Sequence, residues 1–167
     1  MEANNPFRIG ILTLSDKGSR GEREDASGQV VKEMVAGLGE VVCAQILPDE
    51  FEPIVNCLQA WSDQEKLHLI LTTGGTGVSP RDVTPQATLQ ILDYEIPGMA
   101  EAMRQRSLEI TPHAMLSRSL AGVRGQTLII NLPGSPKSVR ENLAVVLPAL
   151  KHALLKIGGD PTECATS

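Results

Sequence analysis

The sequence predicts an α/β domain with a mostly parallel sheet, one antiparallel strand and helices on both faces. Three observations predict it. In the first half of the chain, apolar runs alternate with segments whose apolar residues recur every three or four positions. That strand–helix alternation argues for parallel strands joined by right-handed helical crossovers. The strand-like runs are apolar on nearly every residue, as befits strands covered on both sides. In the second half the alternation lapses, and a glycine turn separates two short extended segments, which suggests one antiparallel strand.

The elements follow in order. Arg8 to Ser15 reads as a first strand. The polar stretch DKGSRGERED then reads as a loop. From Asp25 onward Val30, Val31, Met34, Val35 and Leu38 lie at helical spacing, with Gly37 and Gly39 as stop signals. Val41–Leu47 is a second strand, and Pro48-Asp49-Glu50 a short loop. Ile54, Leu58 and Trp61 mark one face of a second helix, beside Cys57. Leu67–Thr73 is a third strand. Thr84-Pro85 reads as a helix start, Thr as N-cap and Pro as first helical residue. Pro97-Gly98 opens another helix with Met99, Ala102 and Met103 on one face, and Thr111-Pro112 ends it. Gly122 to Gly125 reads as a turn, and Thr127–Leu132 as the clearest strand of this half. The last helix carries Val139, Leu143, Val146, Leu147, Leu150, Leu154 and Ile157 on its apolar stripe. Pro148 lies within that stripe, so a kink or break is expected there. Gly158-Gly159 ends the helix, and 160–167 reads as a loose tail. One domain over 1–167, without linker or repeat, is the expected organisation.

Composition narrows the function. Of the 167 residues, 41% are hydrophobic, enough for a core, but only 2% are aromatic. Few rings are available to stack bases. The net charge of −5 lacks the basic excess of a duplex binder, so nucleic acid is not an expected partner. Any anion site must therefore be local. Cys43, Cys57 and Cys164 form no C-x-x-C pair and suggest no disulfide framework, which fits a reducing compartment. No signal peptide or membrane span is visible, so a cytoplasmic location is expected.

In an open parallel sheet, ligands bind outside the carboxyl ends of the strands. Four polar loops leave such ends: Ser15-Asp16-Lys17, Pro48-Asp49-Glu50, the loop after Thr73, and Pro133-Gly134-Ser135-Pro136-Lys137. Gly74-Gly75-Thr76-Gly77 can turn successive N–H groups into one concavity and hold an anion. It matches neither the dinucleotide fingerprint nor the P-loop, and alone it reads equally well as an ordinary turn. Ser135 can N-cap a helix with Pro136 at its first position. Lys137 then sits at a dipole-positive end, where an anion would relieve it, or it is simply solvated. Asp49, with Glu52 three residues on, resembles a capping box. Asp82 beside Arg81 resembles a surface turn. If the two acids instead share one phosphate-lined cleft, they suit a Mg²⁺–nucleotide complex, because Mg²⁺ binds through one or two carboxylates plus phosphate oxygens. His68, His113 and His152 have no metal spacing and read as structural.

The stretch LTTGGTGVSPRDVTP, with LPDE, PGMAEAMR, MLSRS, TLIINLPGSPKS and LPALKHAL, resembles the molybdopterin adenylyltransferase family of the MogA and MoaB superfamily. The likeness runs from about Arg8 to Ile157. It implies a three-layer sandwich, usually assembled as a trimer. It also implies that ATP adenylylates the terminal phosphate of molybdopterin, with Mg²⁺ as metal and pyrophosphate released, and it implies a molybdenum insertase as partner. Asp49 and Asp82 match the acidic positions that serve metal binding and catalysis. Thr73, Gly74, Gly75, Thr76 and Gly77 match the loop for nucleotide and pterin phosphate. Ser15 and Asp16 match the S-D after the first strand, and Gly134, Ser135, Pro136 and Lys137 fall in the N-L-P-G loop and its helix start. Ser117 and Arg118 match L-S-R on the pterin side. Rival readings are a MoaB-like paralogue, a binding scaffold without turnover, and a CinA-like nucleotide hydrolase.

Overall fold

The computed structural model describes residues 7–162. Cys164 and positions 163–167 of the expected tail lie outside these. The elements are β1 (Phe7–Leu14), α1 (Asp16–Ser19), α2 (Ala26–Val35), β2 (Gly39–Leu47), α3 (Phe51–Asp63), β3 (Leu69–Thr73), α4 (Thr84–Ile91), β4 (Tyr94–Glu95), α5 (Pro97–Leu108), a 3-10 turn (Pro112–Leu116), β5 (Ala121–Arg124), β6 (Thr127–Leu132) and α6 (Pro136–Ile157). The six strands form one sheet in the order β2-β1-β3-β6-β5-β4. β2, β1, β3 and β6 are parallel neighbours. β5 is antiparallel to both β6 and β4, so it alone runs against the others. The mostly parallel sheet with one reversed strand is thus as expected.

Period-2 geometry sends alternate residues of each strand to opposite faces, and each face has its own core. Ile9, Ile11, Leu69, Leu71, Leu128 and Ile130 pack with Val31, Met103, Leu143 and Leu150 beneath α2, α5 and α6. Leu12, Leu14, Ile70 and Ile129 pack with Ile54, Leu58, Trp61 and Ala87 beneath α3 and α4. Three layers result. The central strand β3 is buried throughout, which is why its sequence shows no alternation. β2, at one edge, is half exposed.

Several expectations shift. The polar stretch after β1 contains the one-turn helix α1. Gly39 starts β2 instead of only ending α2. Gly122 lies within β5, and the β5–β6 turn falls at Gly125-Gln126. α5 ends at Leu108, and Thr111 caps the 3-10 turn through its hydroxyl. β4 had no sequence signal, being two exposed residues long. The helix α6 runs unbroken through Pro148. Proline supplies no N–H for the Ala144 carbonyl. Both Pro148 and Ala144 are exposed, so water can take that carbonyl, while Val146, Leu150 and Leu154 hold the other face against the sheet.

Candidate active site

Because β2, β1, β3 and β6 are parallel neighbours, their carboxyl ends open on one rim. The four loops predicted from sequence converge there around a cleft of about 550 Å³. Ten of the predicted residues line it: Ser15, Asp16, Asp49, Thr73, Gly74, Gly75, Asp82, Gly134, Ser135 and Pro136. Thr76, Gly77 and Ser117 line a second cavity, of about 260 Å³, with Arg104, Ser107, Thr111, His113 and Asn142. The glycine loop therefore divides two cavities, showing Thr73 to Gly75 to one and Thr76 and Gly77 to the other. Arg118 borders a third hollow of about 270 Å³. Lys137 lines none of the three; its side chain is 79% exposed and its ammonium lies 3.9 Å from Glu141 Oε1.

The local structure has physical causes. Gly74 and Gly75 have φ of +99° and +66°, a region costly for residues with a Cβ. A Cβ on Gly75 would also lie 2.3 Å from Thr84 Oγ1 and 2.9 Å from Asp49 Oδ1. The loop is thus pressed between α4 and the acid. Thr84 is not the N-cap of α4, a position held by Val83. Its hydroxyl instead donates to the Gly74 carbonyl at 2.9 Å and ties the loop down. Ser135 does cap α6, accepting from the Ser138 N–H at 3.1 Å. Ser15 likewise caps α1, accepting from the Gly18 N–H. The Thr73 hydroxyl donates to the Pro133 carbonyl at 2.7 Å, joining the β3 and β6 loops.

Asp49 departs from the capping-box alternative. The N-cap of α3 is Glu50, with no side-chain cap bond. Asp49 instead faces Asp16 across two loops. The Asp16 N–H donates to Asp49 Oδ2 at 3.2 Å, and the Asp49 N–H donates to Asp16 Oδ1 at 3.0 Å. Arg81 then grips the Asp16 carboxylate with Nε at 3.0 Å and Nη2 at 2.6 Å. The pKa values of the two acids are displaced in opposite directions. The Arg81 guanidinium holds Asp16 below the usual carboxylate range. Burial, then the negative charge of Asp16, pushes Asp49 up, and Asp82 adds to this. Asp82 Oδ2 accepts from the Ser79 N–H at 2.9 Å.

Sequence reasoning missed the far wall of the cleft. Asp25 caps α2 by accepting from the Gly28 N–H at 2.8 Å, and it also accepts from the Thr13 hydroxyl at 2.9 Å. The N-termini of α2 and α6 both border the space, and each favours negative charge. Arg23 stands on this wall, as does Lys17, which the first predicted loop already contained. Ser107 and Asn142 in the second cavity were missed as well, being ordinary helical residues by pattern; His113, read as structural, also lines that cavity. Five carboxylates line the first cleft (Asp16, Glu24, Asp25, Asp49, Asp82) against two cations, Lys17 and Arg23. Among the described residues no three His, Cys, Asp or Glu side chains form a ready-made metal cage.

A family model described as "Probable molybdopterin binding domain" matches residues 10–152. The chain is 46% identical over 164 residues to gephyrin of Dictyostelium discoideum, covering 92% of this chain but 23% of that protein. It thus spans about a quarter of the length of that relative. It is 42% identical over 160 residues to the molybdopterin adenylyltransferase of Helicobacter pylori strain J99, covering 92% of this chain and 89% of that one. Among solved structures, the molybdopterin biosynthesis enzyme MoaB of Thermus thermophilus superposes with a TM-score of 0.87 at 56% identity, over 93% of this chain and 98% of that one.

Proposed function

The chain belongs to the family of probable molybdopterin-binding domains within the MoaB and MogA superfamily, and from that premise we propose that it is a molybdopterin adenylyltransferase. It transfers AMP from ATP to the terminal phosphate of molybdopterin and releases pyrophosphate, a step of molybdenum cofactor biosynthesis. One observation carries the reading: two cavities meet across a single glycine loop flanked by two carboxylates. Asp49 leans on Gly75, and Asp82 Oδ2 lies 2.9 Å from where a Cβ of Gly77 would stand.

The first cleft takes the nucleotide. Two helix N-termini, Lys17 and Arg23 receive its phosphates. The second cavity takes the pterin, for which Thr76, Ser107, Thr111, Ser117 and Asn142 supply neutral hydrogen-bonding groups. The pterin phosphate then reaches the loop from one side and the α-phosphate of ATP from the other. The attacking phosphate is already an anion, so no strong general base is needed. The protein's task is to align two anions that repel one another and to exclude water. A cleft with three more carboxylates than cations does not attract such anions unaided. Asp49 and Asp82 are the residues that would hold Mg²⁺. Their hard oxygen donors suit it, and the shortage of protein ligands suits an ion that shares substrate phosphates. When bound, Mg²⁺ supplies neutralisation of phosphate charge.

The test mixes protein, molybdopterin, ATP and Mg²⁺ and follows pyrophosphate. Asp49→Asn and Asp82→Asn should keep the fold and largely lose release, and EDTA should stop it. Wild-type turnover by either variant refutes the assignment. Binding of molybdopterin without pyrophosphate release favours a scaffold instead. Assembly as a homotrimer, delivery of product to a molybdenum insertase and a cytoplasmic setting complete the proposal; sedimentation reports the first. No helix among the described residues is long and apolar enough to cross a membrane.

A further inference from the structure

We propose that Arg118 and Arg81 are positioning residues that clamp segment 76–82 from its two sides, holding the loop that carries Asp82 against the loop that carries Asp49. The segment needs such a device. It contains no helix or strand, and Val78 at its tip is 63% exposed. Its own bonds close only a tight turn, with the Asp82 N–H donating to the Ser79 carbonyl at 2.9 Å.

From one side, Arg118 makes three bonds to this segment. Its backbone N–H donates to the Thr76 carbonyl at 2.8 Å. Its Nε donates to the Gly77 carbonyl at 2.7 Å and its Nη2 to the Asp82 carbonyl at 2.6 Å. One planar guanidinium thus grips two carbonyls five residues apart, which a lysine point charge cannot reproduce. Arg118 is itself anchored. Arg104 on α5 donates through Nη1 to the carbonyls of Ser117 and Ser119, at 3.3 and 2.7 Å. From the other side, Arg81 reaches to both oxygens of Asp16, which exchanges backbone-to-carboxylate bonds with Asp49. The linkage runs unbroken from α5 to Asp49. It gives Arg118 a role other than touching the pterin, since the bonding edge of its guanidinium is turned onto the protein's own backbone.

The kinetic side of this inference rests on the adenylyltransferase reading; the structural side does not. Two measurements keep them apart. Amide hydrogen exchange over 76–82, without substrates, should quicken in Arg118→Gln and in Arg81→Gln relative to wild type. Unchanged exchange in both overturns the clamp whatever the reaction proves to be. With an active wild type, both variants should lose about 10- to 100-fold in kcat, the scale of small misplacements of reacting groups, with KM for ATP and for molybdopterin each within about 2-fold. A rise of 10-fold or more in KM for molybdopterin with kcat kept makes Arg118 a substrate contact and overturns the proposal. So does full activity in Arg118→Lys, because charge without the fork would then suffice. Combining Arg81→Gln with Asp82→Asn should lose no more than Asp82→Asn alone, since a residue acting through Asp82 has nothing left to position. Full additivity counts against the clamp. If Arg118→Gln fails to fold, Arg81→Gln still decides, because its side chain is 57% exposed. An inactive wild type removes the adenylyltransferase reading and leaves the exchange result to decide the clamp.

Discussion

Replacing Gly75 with alanine tests whether the glycine loop is truly pressed between α4 and Asp49. Two costs add. An L-residue at φ near +66° pays about 1–2 kcal/mol. The new methyl would stand 2.3 Å from Thr84 Oγ1, so that hydroxyl must leave the Gly74 carbonyl, to which it donates in a fully buried site. Stranding a buried acceptor costs about 1–3 kcal/mol. The sum is about 2–5 kcal/mol. Gly125 is the control: its φ is +56°, yet a Cβ there would meet nothing within 4 Å, and it sits at the opposite end of the sheet. Gly125→Ala should therefore pay the backbone cost alone. The two variants should differ by about 1–3 kcal/mol, which at an m-value of about 2 kcal/mol/M separates their urea midpoints by about 0.5–1.5 M. Asp49 Oδ1 lies 2.9 Å from the same methyl, so pyrophosphate release should fall in Gly75→Ala and hold in Gly125→Ala. Coincident midpoints and equal activities would show that nothing presses on the loop, and the argument for a packed phosphate wall would fail.

Other outcomes follow from titration and burial. Asp49 has a raised folded-state pKa, so its charge opposes folding once pH exceeds the unfolded value; Asp49→Asn should raise the urea midpoint at pH 7 while losing transfer, and an unchanged or lower midpoint contradicts this. His68 has a lowered pKa through burial, and its Nδ1 accepts from the Arg8 N–H at 2.9 Å. Its stabilising contribution is present above the unfolded value near 6.5 and lost as pH falls through the folded one. His68→Asn should therefore narrow the stability gap between pH 7.5 and pH 5, and an equal gap in both proteins speaks against it. Burial pushes the Cys57 thiol up to about 12, so at pH 8 the native protein should protect Cys57 from iodoacetamide, read by peptide mass spectrometry; labelling at the rate of urea-unfolded protein refutes it.

What the sequence could reveal followed from what each residue's pattern encodes. Strand and helix periods report burial on each face, so the parallel core was readable from apolar spacing, and the presence of one reversed strand from a glycine turn, though Gly122 of that turn lies within β5. The convergence of ten of the predicted residues on one cleft followed from the rule that parallel strands end on one rim. Residues whose role depends on a partner far along the chain were not readable that way. Asp49 looked like a cap because Glu52 follows at the right interval, yet its partner is Asp16, 33 positions away. Thr84 looked like a cap because Pro85 follows, yet its hydroxyl turns back ten positions to Gly74. Arg118 carries no local sign that its guanidinium bonds Gly77 and Asp82, 41 and 36 positions earlier. Local chemistry proposes the nearest satisfied arrangement for a polar side chain. A folded site replaces it when another loop offers a partner that also excludes water, because a bond desolvated inside a cleft is costlier to leave unmade than an exposed cap. The polar residues whose bonds carried no local sign are therefore the ones that cross between loops, and those crossings bring Asp49 and Asp82 to the same glycine turn.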